Sequence, residues 1–289
     1  MPTSPHTPAP ASGTSDRTAP VLSVKDLEVA YRTGRDQSVR ALRGVSFDLH
    51  PETSLALVGE SGCGKTTLGL ALLRLLPTLG EITGGSITFT GDDGRAREVT
   101  DMTPAQLRRW RWSEAAMVFQ GAQNAFNPVL TVGAQMADTL RDHATGRLGR
   151  REIHERSAEA LRSVRLEPRR VLGSYPHELS GGMKQRVAIA IALVLEPDVI
   201  FMDEPTTALD LLVQREVLDQ IVRLREQYGF AIVFTTHDLA LLLEISDTVA
   251  VMRHGRLVEY GPARETYVDP QHPYTRALLS SLADLGSLA

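Results

Sequence analysis

The sequence predicts an α/β fold with a mostly parallel sheet, and three observations carry that prediction. Short apolar runs alternate with longer stretches of helical spacing. One of these runs, Ser54-Leu-Ala-Leu-Val-Gly59, passes directly into a glycine-rich loop and then a leucine-rich stretch. Another, Val199-Ile-Phe-Met202, ends on two acids, Asp203 and Glu204. Runs that are apolar throughout, rather than alternating, suit strands covered on both faces, as when helices dress a parallel sheet.

The elements follow in order. Residues 1–20 hold Pro2, Pro5, Pro8, Pro10 and Pro20 among Ser, Thr and Ala. That composition is expected of a disordered tail and not of a secretory signal. Val21 to Tyr31 alternates well enough for a half-buried strand, and Ala41 to Leu49 is its expected partner in an antiparallel β subdomain. Ser54 to Gly59 is a buried strand, and Thr66 to Leu76 a helix stopped by Pro77. Gly85 to Thr90 and Ala115 to Phe119 are strands. Met102 to Trp112 is a helix, with Pro104 tolerated in its first turn. From about 127 to 180 the charges grow dense, and Arg150 to Leu166 has helical spacing, so an inserted helical subdomain is expected. Val199 to Met202, Ala231 to Thr235 and Thr248 to Met252 are strands. Helices are expected over Val213 to Tyr228 and from Asp238.

Composition narrows the function. The 289 residues are 42% apolar and 23% charged, enough for one large domain with an insertion or two smaller ones. The net charge of −4 and 5% aromatic content argue against a broad nucleic-acid surface or base-stacking platform. A single cysteine excludes an intramolecular disulfide and a Cys-cluster zinc site. The longest uncharged apolar run, Val187 to Leu195, falls far short of the ~20 residues that span a bilayer.

Gly59-Glu-Ser-Gly-Cys-Gly-Lys-Thr66 matches G-x-x-x-x-G-K-[ST] between a strand and a helix, the setting that motif requires. Its glycines let successive N–H groups curl toward phosphate oxygens, and the following helix adds its positive end. Gly59, Glu60, Ser61, Gly62, Cys63, Gly64, Lys65, Thr66 and Thr67 are therefore candidate nucleoside-triphosphate-binding residues, the class of nucleotide still open. Lys65 is suited to the β- and γ-phosphates, and the Thr66 hydroxyl to Mg²⁺. Asp203, delivered at a strand's C-terminal end, would complete the metal's ligands. Glu204, next in the chain, is placed to polarise an attacking water.

Leu179-Ser-Gly-Gly-Met-Lys-Gln-Arg186 is a second glycine-rich turn opening a helix. Ser180 is its expected N-cap. One nucleotide does not need two such anion sites. A head-to-tail dimer does, each nucleotide lying between the loop of one subunit and the Ser180-Gly181-Gly182 of the other.

With these segments the chain resembles the ATP-binding subunit of an ABC transporter over about residues 21–285. The resemblance implies a P-loop NTPase core at 21–261 with the helical insertion at about 127–180. It assigns Gln120 to the Q-loop, where it would reach metal and water. Thr207-Ala-Leu-Asp210 becomes the D-loop at the dimer contact, His237 the switch histidine on the γ-phosphate, and Tyr31 the aromatic stacked on adenine. Gln185 joins Ser180, Gly181 and Gly182 in the signature motif acting on the partner's ATP. Phe126-Asn-Pro-Val-Leu-Thr131 and Tyr267-Val-Asp-Pro-Gln-His-Pro-Tyr-Thr-Arg-Ala-Leu-Leu279 resemble the dipeptide, oligopeptide and nickel importers, with 262–289 as the C-terminal importer-type segment. Gly121-Ala-Gln departs from the Asp-Pro often found after the Q-loop glutamine.

The implied function is an ATP-hydrolysing motor on the cytoplasmic face of the cell membrane, driving import of di- or oligopeptides. Oligosaccharide or nickel import, or a soluble non-transport ABC ATPase, are the alternatives. Its expected partners are transmembrane permease subunits, a second ATPase subunit and, indirectly, a substrate-binding protein. Phe126 and Leu130 are expected to receive the permease. A P-loop GTPase is disfavoured because its guanine-reading Asn-Lys-x-Asp is missing. Glu204 and His237 speak against a non-hydrolysing regulatory subunit.

Overall fold

The computed structural model describes residues 19–34, 37–122, 125–143, 146–206, 211–235 and 245–286, without the side chains of 211–212 and 281–286. The tail at 1–18, the D-loop residues 207–210 and His237 with the helix expected from Asp238 lie outside the described residues.

Two sheets organise the chain. β1 (Leu22–Arg32), β2 (Ser38–Leu49), β4 (Gly80–Thr90) and β5 (Ala96–Glu98) form an antiparallel sheet in the order β2-β1-β4-β5. The second sheet has the order β10-β9-β3-β8-β7-β6, built from β3 (Ser54–Val58), β6 (Ala115–Val118), β7 (Val199–Asp203), β8 (Ala231–Thr235), β9 (Thr248–Arg253) and β10 (Arg256–Pro262). All its pairs are parallel except β9 with β10.

The period-2 rule accounts for the all-apolar strands. Leu55, Leu57, Val199, Phe201, Ala231 and Val233 enter one core, shared with the antiparallel sheet and helix α1 (Lys65–Leu72). Their neighbours Ala56, Val58, Ile200, Met202, Ile232 and Phe234 enter a second core. That core is closed by α3 (Val132–His143), α4 (Arg150–Ser163), α5 (Pro168–Val171), α6 (Gly181–Leu193) and α7 (Leu211–Tyr228). Both faces of every central strand are buried, so no polar face was there to show alternation. Helices α3 to α5 occupy the stretch whose charge density set it apart.

Several boundaries differ from expectation. Helix α1 stops at Leu72, before Pro77 acts. Arg74 is left-handed at φ 51°, its N–H donates to Ala71 O at 2.9 Å, and Leu75 N–H donates to Leu70 O at 2.7 Å. This is a Schellman closure on a non-glycine residue. Arg111 holds the same end, its Nε donating to Leu73 O at 2.8 Å. Helix α4 ends in the same way at Arg165, φ 58°, with Leu166 N–H donating to Leu161 O at 2.9 Å. Helix α2 (Pro104–Trp110) is shorter than predicted at both ends and begins at a Thr103–Gln106 capping box. Unpredicted elements are β5, β10, α8 (Ala263–Val268) and α9 (Pro273–Gly286).

Candidate active site

The phosphate loop runs from the end of β3 into α1. Gly59 has φ 151°, and a Cβ there would lie 2.2 Å from Met252 O. The close approach of the β9 backbone is what requires glycine. Gly62 and Gly64 are left-handed at φ 79° and 115°. Helix α1 begins on Gly64 without a side-chain cap and without an acid in its first turn. Its leading N–H groups therefore suit an external anion.

Lys65 is 7% exposed, and its Nζ donates to Gly59 O at 2.7 Å and Glu60 O at 3.0 Å. The loop carbonyls thus position a desolvated cation beside the loop's own amides, where its charge acts strongly on phosphate. Cys63 is buried with its Sγ 3.8 Å from Lys65 Nζ, and burial pushes its thiol pKa up despite that cation. A raised pKa disfavours the reactive thiolate, in keeping with a small packing residue.

The two acids at the end of β7 are held differently. Asp203 is 5% exposed and accepts a hydrogen bond from Thr235 Oγ1 at 2.7 Å. A small cleft between β7 and α1 is lined by Lys65, Met117, Asp203 and Thr235, so the two phosphate motifs meet there. Glu204 is left-handed at φ 48°, and its N–H donates to Thr235 Oγ1 at 2.9 Å and Thr235 O at 3.2 Å. Its Oε2 accepts a hydrogen bond from Gln120 Nε2 at 2.6 Å. Residues 84 apart in sequence are thereby joined.

The donor set fits Mg²⁺. That ion takes oxygen ligands, keeps waters and needs only one or two carboxylates beside substrate phosphates. The Asp203 carboxylate and the Thr66 hydroxyl on the exposed start of α1 are hard oxygen donors of this kind. Gln120 donates through its amide nitrogen, which leaves the amide oxygen as its metal-compatible atom.

Tyr31 is half-buried against Gly80, with its hydroxyl 3.4 Å from Thr67 Oγ1. The structure thus brings it beside the helix that follows the loop. Ser180 is exposed, and its Oγ accepts the Met183 N–H at 3.3 Å. Gly181 is exposed and Gly182 partly so. Gln185 does not share that surface: it is 5% exposed, one turn further along α6. Phe126 and Leu130, expected to receive the permease, are both half-buried, Phe126 against the helical core, and Val129 beside them is 75% exposed. Thr235, which orders both acids, was not singled out by sequence. A hydroxyl at the end of an otherwise apolar strand beside β7 was the available signal.

Residues 42–207 match the ABC transporter family. The chain belongs to that family. It is an ATP-binding subunit and an ATPase. A probable peptide ABC transporter ATP-binding protein of Sinorhizobium fredii is 42% identical over 266 residues, covering 91% of this chain and 77% of that relative. A dipeptide transport ATP-binding protein of Caldanaerobacter subterraneus is 40% identical over 262 residues, covering 91% and 78%. Among solved structures, a bacterial ABC transporter cassette in dimeric form superposes with a TM-score of 0.73 at 26% identity, covering 84% of this chain and 99% of that one. A dimeric post-hydrolysis cassette bound to ADP and Pi gives 0.72 at 26% identity over the same shares.

Proposed function

We propose that this ABC ATPase drives the import of di- or oligopeptides through a membrane permease. The peptide class is supported by the relatives that are peptide and dipeptide transport proteins, and by the C-terminal importer-type motif. A cassette spanning 21–261, with 127–180 as its helical subdomain and 262–289 as an appended segment, suits that role. Among the described residues no helix is long and apolar enough to cross a membrane. Attachment at the cytoplasmic face would therefore run through the permease, whose substrate-binding protein this chain would serve indirectly.

The observation that carries the mechanism is the Gln120–Glu204 hydrogen bond beside the Lys65 loop. The loop N–H groups and Lys65 bind the phosphates. Thr66, Asp203 and Gln120 are the residues that would hold Mg²⁺, which supplies charge neutralisation at the β- and γ-oxygens. Glu204 orients and polarises the attacking water, and the Gln120 bond fixes the carboxylate for that task. His237 would contact the γ-phosphate. Ser180, Gly181 and Gly182 serve the nucleotide of a second ATPase subunit, and Asp210 lies at that contact. Nucleotide binding in both subunits favours the closed dimer, and hydrolysis releases it.

Steady-state ATPase of the purified chain tests this. Glu204→Gln is expected to slow hydrolysis by roughly 10²–10⁴ while ATP binding persists. The variant should then run as an ATP-stabilised dimer on size exclusion. Wild-type turnover in the variant would remove Glu204 from the mechanism.

A further inference from the structure

The C-terminal segment is built against the phosphate loop. Tyr274, in the first turn of α9, is 7% exposed, and its hydroxyl oxygen accepts the Glu60 N–H at 3.2 Å. The phenol also interacts with the Glu60 carboxylate, and burial above all raises its pKa. The Arg253 guanidinium lies 4.7 Å from the centre of the Tyr274 ring. Arg253 follows Met252, whose carbonyl closes on Gly59, and Gly255 N–H donates to Cys63 O at 2.9 Å. The start of α9 is anchored in turn. Glu259 on β10 accepts the N–H groups of Gln271 at 2.7 Å and His272 at 3.1 Å, and His272 Nδ1 accepts the Tyr274 N–H at 3.1 Å. An unbroken run of contacts therefore leads from β10 through the start of α9 to the second residue of the phosphate loop.

We propose that Tyr274 is a positioning residue for ATP, through which the C-terminal segment holds the phosphate loop in its binding shape. Glu60 lies between Gly59, confined by the β9 backbone, and the Ser61–Thr66 amides that face phosphate. An anion nest binds only while its successive N–H groups converge. Tyr274 fixes the peptide at the entrance to that nest, and its loss leaves Glu60 N–H without its acceptor. Because the contact of the buried Tyr274 hydroxyl is to the loop backbone, its effect is expected on ATP affinity and not on the chemical step. Residues 214 positions apart are coupled in this way.

The inference rests on the ATP-binding function proposed above, and the test uses the full chain. Tyr274→Phe keeps the ring against Arg253 and removes only the hydroxyl. The Kd for a fluorescent ATP analogue and the KM for ATP are expected to rise about 3- to 10-fold, the size of one lost hydrogen bond. The kcat should stay within about twofold, the pattern of lost uniform binding. Glu259→Gln should shift KM in the same direction. The double variant should rise less than the product of the singles, because both act on one network. Tyr267→Phe, at a residue 57% exposed in the same segment, should change neither constant. Unchanged Kd and KM in Tyr274→Phe would overturn the proposal. So would a fall in kcat and melting temperature with KM held, which marks a residue that only supports the fold. Should the wild-type chain bind ATP without hydrolysing it, the catalytic assignment fails, and the Kd comparison still decides the role of Tyr274.

Discussion

The phosphate loop and the Ser180 turn are built from the same material and finished differently. Each is a glycine-rich turn opening a helix with no acid in its first turn. The loop is braced by its own chain: Met252 O closes on Gly59, Gly255 N–H donates to Cys63 O, Tyr274 accepts from Glu60, and Lys65 is buried. At the other turn Ser180 and Gly181 are exposed. The brace there is the Ser180 cap on Met183, with Val213 beside Gly182. A cation and a converging set of amides make the loop an anion site on its own. The Ser180 turn supplies amides and a hydroxyl, but its nearest cations, Lys184 and Arg186, lie further along α6. They are not held on the turn's own carbonyls as Lys65 is on those of its loop, so the turn is suited to completing a site rather than making one. The dimeric cassettes that superpose on this chain are the arrangement in which such a half-site has a use.

The largest effect should come from the loop's cation. Lys65→Ala removes a desolvated ammonium aimed at phosphate, and catalytic losses of at least 10²–10³ are expected for such an electrostatic group. ATP affinity should fall with it. Calorimetry that finds unchanged affinity would break the claim that the loop alone makes the primary site.

A second experiment separates the two turns. Ser180→Arg is expected to abolish steady-state turnover while leaving the isolated loop's ATP affinity within a few-fold. Mixing it with inactive Lys65→Ala should restore activity if the turns serve each other across a homodimer. Each mixed dimer then holds one doubly broken site and one intact site. With random pairing, up to about a quarter of wild-type turnover returns. No recovery, with mixed dimers confirmed by tagged co-purification, would mean that both turns act on one chain's nucleotide.

The same contrast explains what could be read from sequence. The loop's requirements are local, so eight consecutive residues between a buried strand and a helix announced it. The apolar runs of β3, β7 and β8 likewise pointed to a parallel sheet, because burial on both faces leaves a signature in each strand alone. What stayed hidden depends on distant partners. Thr235 orders Asp203 and Glu204 from another strand, and Tyr274 reaches Glu60 from the far end of the chain. Helix α1 stopped early because Arg74 took a left-handed conformation usually left to glycine or asparagine, and Arg111 and the Arg74 side chain secured that end from elsewhere. Gln185 lies four residues after Gly181 and three after Gly182, which brings it round toward their side of α6, yet the helical core covers it.

The smallest predicted effect lies at the other end of the strand that leads into Asp203 and Glu204. Asp203 closes β7, whereas Asp198 immediately precedes it, roughly 16 Å away at strand rise. Burial first, and then the repulsion of Asp92 and Glu114, push the Asp198 carboxyl up to about 7. Arg97 opposes that shift, but Arg97 is itself engaged with Glu114. A folded-state pKa above the unfolded value near 3.8 means that the native state binds the extra proton. Stability should therefore fall as pH rises from about 4 to about 7, and the full cost should persist above that. Asp198→Asn removes the titration. Its unfolding free energy relative to wild type should climb between pH 5 and pH 8 by about 1–2 kcal/mol once partial exposure to water is discounted, read as a widening difference in melting temperature. ATP turnover at saturating nucleotide should be unchanged, since no loop or turn that handles phosphate is touched. A pH-independent difference would mean that Asp198 is already ionised in the folded protein throughout that range. A loss of turnover at unchanged stability would mean that the two ends of β7 are coupled, and that the division between a self-sufficient nucleotide end and an ordinary structural end of the sheet is wrong.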